Sequence, residues 1–154
     1  MDKDSIDFEV IKKDLRRGAY KFIGSGSSRS VFDLDNGFVV KAAINRGGLY
    51  QNKIESYVYS HEHTDLFAPI LTKSEDSMFL IMKKGEKIMS LNQILVYYEA
   101  TNMRQLVERD YYVYIRSTYG LARGDLVRKS SWGIINEVPV LIDYGFTGRR
   151  RFHF

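Results

Sequence analysis

The sequence predicts an α+β protein: a five-stranded antiparallel sheet with one inserted helix, followed by a small, mostly helical C-terminal lobe. Three observations predict it. Apolar residues alternate with polar ones in short runs between Tyr20 and Met82, a single segment of helical period interrupts them, and helical spacing dominates beyond Ile88. At 154 residues the length suits one compact unit, with an N-terminal lobe over 1–84 and a reduced C-terminal lobe over 85–154.

The elements follow in order. Ile6, Val10, Ile11 and Leu15 predict a leading helix over Ser5 to Arg17, stopped at Gly18. Tyr20 to Ile23, Val31 to Leu34 and Phe38 to Ala43 read as strands, the last two joined by a tight turn at Asn36-Gly37. The helix after them carries Tyr50, Ile54, Tyr57, Val58 and His61 on one face. Phe67 to Thr72 and Met78 to Met82 complete the sheet, turning at Glu75-Asp76. "KKGEKI" then links to the helices. Ser90 with Gln93 and Asn102 with Gln105 read as capping boxes, the second opening one longer helix whose Met103, Leu106, Val107, Tyr111, Tyr114 and Ile115 face inward and which ends before Gly120. Two short strands around an Asn136-Glu137 turn close the pattern.

Composition narrows the function. Hydrophobic residues make up 44% and charged residues 27%, and no apolar run approaches the roughly 18 residues that span a bilayer. The expectation is a soluble, cytoplasmic protein without a membrane partner. The start, "MDKDSIDFEV", is too acidic for a secretory signal. The absence of Cys excludes disulfides, thiolate nucleophiles and Cys-based zinc sites. Of the net charge of +4, part lies in Arg149 to Arg151, read as a solvated tail with a nucleic-acid contact as the weaker alternative. His61 and His63 could pair on a metal only in extended chain. The tyrosines of "YYVYIRSTY" fall at helical spacing, as packing residues do.

The chemistry-bearing residues are fewer. Gly24 and Gly26, set among Ser25, Ser27, Ser28 and Ser30, remove side chains where a turn between strands would let backbone N–H groups approach a phosphate, and Val31 lies where the next strand could cover an aromatic base. Lys41 sits within an apolar strand, between Val39-Val40 and Ala42-Ala43, where an ammonium needs a carboxylate or phosphate. Glu55 on the following helix is its natural partner. Two further carboxylates stand downstream, Asp125 in "RGDL" and Asp143 in "VLIDYGF".

Glycine loop, strand Lys, helix Glu, "GDL" Asp and "DYG" Asp occur in the order of the protein kinase-like fold, including its aminoglycoside-phosphotransferase-like branch. From Phe22 to Phe146 the chain resembles small kinase-like proteins of bacteriophages and bacteria with a truncated C-terminal lobe. The resemblance implies ATP and Mg²⁺ as cofactors. It implies that Gly24, Ser25, Gly26, Ser27 and nearby amides lie over the phosphates, that Val31 and Met82 lie near the base, and that Lys41, paired to Glu55, holds the α and β phosphates. Asp125 would accept the proton of the acceptor hydroxyl, and Asp143 would bind magnesium.

Departures from the pattern accompany it. Arg29 replaces the third glycine, stiffening the loop and adding a charge. The usual Asn after the catalytic Asp is missing, and Ser130 or Ser131 stands in its place, Ser131 by alignment on Trp132-Gly133. The stretch from Asp143 to Phe154 is too short for an activation segment and a peptide-docking lobe. The expected function is therefore ATP-dependent phosphotransfer to a protein or small hydroxyl acceptor. The alternative is a pseudokinase acting as a binding or inhibitor protein, phage-encoded and working in the host cytoplasm, on a host macromolecule. A protein partner or acceptor is expected in either case.

Overall fold

The structure is a computed structural model and describes residues 1–145. The Arg149 to Arg151 run lies outside the described residues. The chain divides into two compact units, one of Met1–Tyr59 with Pro69–Lys84, the other of Ser60–Ala68 with the residues from Gly85 onward.

In the first unit a 3-10 turn at Lys3–Ser5 precedes helix α1 (Phe8–Arg16). Asp7 caps α1, its carboxylate accepting from the Glu9 and Val10 amides, and Gly18 ends the turn beyond it at φ +73°. The helix thus starts later than its apolar spacing suggests, because Asp7 is the better first acceptor. Val10 points to solvent while Ile11 is buried.

Strands β1 (Lys21–Ser25), β2 (Arg29–Asp33), β3 (Phe38–Ala43), β4 (Ile70–Lys73) and β5 (Phe79–Lys83) form one antiparallel sheet in the order β1-β2-β3-β5-β4. Helix α2 (Arg46–His61) is inserted after β3. This is the predicted α+β class and the predicted sheet. Val40 lies opposite Phe32 and Ile81, and with Ile11, Leu34 and Phe79 these residues build a core on which Phe8 and Leu15 of α1 pack. Since side chains alternate across a sheet, Val39 and Lys41 face the other way.

Two details differ from expectation. The β2–β3 turn is not a two-residue Asn-Gly turn. It spans Asp35 to Gly37, with Asp35 at φ 59° and Gly37 at φ 90°, because the Asn36 side chain accepts from the Phe38 amide and Leu34 donates across to Phe38. Phe67 belongs to no strand of this sheet. Leu66 to Ala68 satisfy their main chain on Leu141 instead, and Pro69, lacking an N–H, marks the change of partner.

The second unit is mostly helical: α3 (Asn92–Tyr98), α4 (Met103–Val107), α5 (Asp110–Tyr119) and α6 (Arg123–Leu126), with a small sheet of β6 (Glu86–Lys87), β7 (Trp132–Ile135) and β8 (Val138–Leu141). The first capping box forms in both directions, whereas at Asn102 only the forward bond does, Gln105 reaching back to the Thr101 amide instead. Ser90 accepts from the Asn92 amide while Gln93 reaches back to the Ser90 amide, and Asn102 accepts from the Gln105 amide. The single long helix expected after Asn102 is broken at Arg109, which is extended at ψ 151°. Its guanidinium donates to the Tyr98 and Glu99 carbonyls at 2.7 and 2.8 Å, closing the end of α3. Tyr114, expected inward, is consequently half-exposed. "KKGEKI" is also more than a connection, since Glu86-Lys87 pair with β7. Asn136 and Glu137 take φ of 50° and 68°, the left-handed turn expected between β7 and β8.

One contact makes a sharp prediction. A Cβ on Gly48, in the first turn of α2, would collide with the Ser28 carbonyl oxygen and come within 2.9 Å of the Ala43 Cα. Backbone cannot yield as a side chain can, so Gly48→Ala should destabilise the protein by about 3 kcal/mol or more. Gly26→Ala, whose Cβ would meet nothing within 4 Å, should change stability by less than about 0.5 kcal/mol. Thermal unfolding of both variants checks this.

Candidate functional site

In the first unit the site is built on one face of the sheet. Val31 is directly opposite Lys41, and Val39 is directly opposite Met82. Strand alternation therefore puts Val31, Lys41 and Met82 side by side on that face, the three residues expected near a nucleotide. Met82 is also part of the buried apolar content, 1% exposed.

The glycine-serine stretch is a β1–β2 hairpin end. Gly24 pairs with Val31 and Ser25 with Ser30, and the Gly26 amide donates to the Arg29 carbonyl at 2.9 Å. Its carbonyls are committed: Ser27 accepts from the Asn45 side chain at 3.0 Å and Ser28 from the Ile44 amide at 2.8 Å. The Ser27 and Ser28 amides make no hydrogen bond among the described residues. Neither Gly24 nor Gly26 sits at positive φ, and a Cβ on either would touch nothing within 4 Å. Backbone geometry and internal packing therefore leave room for side chains at both positions.

Lys41 and Glu55 meet as expected. The ammonium lies 2.9 and 3.2 Å from the two Glu55 oxygens, and both side chains are buried. A third group joins them that sequence reasoning placed in the loop. Arg29, the first residue of β2, is 6% exposed and turns its guanidinium inward, 2.6 Å from Oε1 and 3.0 Å from Oε2 of Glu55. It also donates to Asn52 Oδ1 at 3.0 Å, and the Asn52 amide donates to the Ser77 carbonyl at 2.8 Å. The charge at position 29 thus goes to the interior rather than to the loop. The register explains it: Arg29 pairs with Ala43 and lies two residues before Val31, so it is the diagonal neighbour of Lys41 on the same face. Burial penalises the charged form of Glu55, but the Arg29 and Lys41 cations and their hydrogen bonds outweigh it and hold the carboxyl at about 2.

In the second unit Trp132 is the organising residue. Buried at the start of β7, it donates its indole N–H to the Leu126 carbonyl at 2.7 Å, tying α6, and with it Asp125, to the small sheet. Asp125 is partly exposed and its carboxylate is paired with Arg128 one turn later. Ser131 immediately precedes β7, and its carbonyl accepts from the Ile142 and Asp143 amides at 2.8 and 3.3 Å. The structure therefore brings Ser131 and Asp143 together through the main chain. Ser131 Oγ is buried without a hydrogen-bond partner among the described residues, whereas Ser130 is exposed. His61 and His63 are both exposed.

No group of three or more His, Cys, Asp or Glu side chains among the described residues could hold a metal. Asp143 and the orphaned Ser131 hydroxyl are oxygen donors of the kind magnesium takes, in the sparse number it uses when phosphate oxygens and water supply the rest. No helix among the described residues is long and apolar enough to cross a membrane.

No family model matches the sequence, and no curated protein matches it. Solved structures do. One is described as the streptomycin–ATP–APH(2″)-IIa ternary complex, 15% identical, with a TM-score of 0.49 over 92% of this chain and 73% of that one. A likeness of that depth assigns no activity or ligand here. The observed α+β architecture, with its five-stranded antiparallel sheet and inserted helix, is consistent with a minimal kinase-like fold.

The Glu55 carboxyl is held below its ordinary value of 4.5, so its contribution to stability is fully present above about pH 4.5 and is lost as pH falls toward about 2. Acid unfolding should show that loss, and Glu55→Gln should flatten that part of the curve. Glu55→Ala, which strands two buried cations, should cost about 3–5 kcal/mol in denaturant unfolding at neutral pH.

Proposed function

We propose that the protein is an ATP-dependent phosphotransferase. The observation that carries this reading is a buried Lys41–Glu55 pair on the sheet face that also carries Val31 and, buried beneath, Met82, next to a hairpin whose glycines answer to no internal contact. A lysine in an apolar strand is costly to keep and is explained by an anion it must hold. Glycines that packing does not require are explained by something outside the chain that must come close.

Each residue then has a task. The Ser27 and Ser28 amides and the small side chains about them receive phosphate oxygens. Val31 offers apolar surface to the adenine ring, with the buried Met82 backing that face. Lys41 balances phosphate charge, with Glu55 fixing its direction. Asp143 and Ser131 would hold Mg²⁺, which when bound offsets charge on the transferred phosphoryl group. Asp125 accepts the proton of the acceptor hydroxyl as it attacks, provided Arg128 moves off its carboxylate.

That last contact favours a second reading. A base paired with an arginine, together with serine in place of the usual Asn, suits a nucleotide-binding protein that has given up transfer and acts on a protein partner instead. The two readings separate cleanly. Both expect ATP with Mg²⁺ to raise the melting temperature, an effect lost in Lys41→Met, where Arg29 still neutralises Glu55, and in Asp143→Asn. Transfer of γ-phosphate label, to an added protein or to the chain itself, should fall by about 100-fold or more in Asp125→Asn if catalysis is the function. No thermal shift in the native protein would reject both.

A further inference from the structure

Glu55 Oε1 receives Arg29 Nη1 at 2.6 Å and Lys41 Nζ at 2.9 Å, and Oε2 receives Arg29 Nη2 at 3.0 Å and Lys41 Nζ at 3.2 Å. The two cations are not equivalent. Arg29 makes a planar, two-pronged contact, cannot lose its proton, and is held from behind by Asn52, itself fixed to the Ser77 main chain. Lys41 is a point charge on a flexible stem. A buried carboxylate that shared its only cation with a ligand would be left partly unneutralised, at a cost of several kcal/mol.

We propose that Arg29 is a positioning residue that holds Glu55 ionised and in place, so that Lys41 can share its ammonium with an anionic ligand. Arg29 from β2 and Lys41 from β3 are two charged groups set against Glu55 of α2. The pattern that the chain resembles has glycine at position 29, so this division of labour belongs to this protein's own residues. The identity of the anion, a nucleotide phosphate, rests on the function proposed above.

The test compares the native protein with Arg29→Lys and Arg29→Met, following the Glu55 side-chain carboxyl by ¹³C NMR through a pH titration and ATP affinity by calorimetry with Mg²⁺. In the native protein the resonance should stay still down to about pH 4. In Arg29→Met it should move at a pH higher by about one unit or more, and ATP affinity should fall about tenfold. Arg29→Lys, which restores the charge without the fork, should recover most of the affinity. A merely structural role would lower the melting temperature of both variants without moving either readout. Native ATP binding that is unchanged in Arg29→Met overturns the proposal. If the native protein binds no ATP, the nucleotide reading fails, and an unmoved Glu55 titration in Arg29→Met would then overturn the role of Arg29 separately. Should Arg29→Met fail to fold, Asn52→Ala, which frees the guanidinium on one side, should shift the titration in the same direction by less, and no shift overturns the proposal.

Discussion

Taking the Glu55 carboxylate out of water would by itself push its proton back on, and the first unit is arranged so that this does not happen. Two strands and one helix each contribute one charged group, and loss of the Glu55 carboxylate would strand both cations. Arg29 opens β2, Lys41 lies in mid-β3 and Glu55 sits on the buried side of α2, so the cluster fixes how the helix meets the sheet as well as where an ammonium stands. Asn52 extends the constraint to the β4–β5 turn by bonding the Ser77 carbonyl. A hydrophobic core tolerates small slips. A fully desolvated ion cluster does not, because each displaced hydrogen bond leaves a charge poorly satisfied.

The second unit reaches fixity by different means. Its catalytic candidates sit near turns and a one-turn helix, elements with little stability of their own. They are held by neighbours: the Trp132 indole on the Leu126 carbonyl, the Ser131 carbonyl on two successive amides, and the Tyr144 hydroxyl on Ala68 at 2.9 Å. Glu62 receives Tyr111 at 2.8 Å and Tyr114 at 3.2 Å, and Tyr119 as well. The tyrosine-rich segment, read from its spacing as packing, thus gathers three hydroxyls on one carboxylate.

Much of this was legible because it depends on local rules. Strand alternation, the capping residues Ser90 and Asn102, and the left-handed turn at Asn136-Glu137 are properties of short segments. The pairing of Lys41 with Glu55 was legible from the cost of a lysine in an apolar strand. What escaped was set by distant side chains. Arg109 broke a helix that its own neighbourhood favours, because its guanidinium serves the end of α3. Phe67 and Ala68 looked like the start of the fourth strand by composition, but that segment found main-chain partners on Leu141. Arg29 read as a loop charge because the loop was aligned by its glycines, while the strand register that turns the side chain inward needs the position of Ala43.

The outer border of the sheet has a practical side. β1 is an end strand carrying Phe22 and Ile23, which are 55% and 43% exposed, and such a border invites a neighbouring molecule to add on. Its ladder is interrupted between Phe22 and Gly24, and Phe22 leans edge-on against Phe32 with ring centres 5.6 Å apart. The irregularity twists the border out of the flat form that fibril growth copies. The break in the ladder beside the glycine hairpin therefore also makes β1 a poorer template for an added strand.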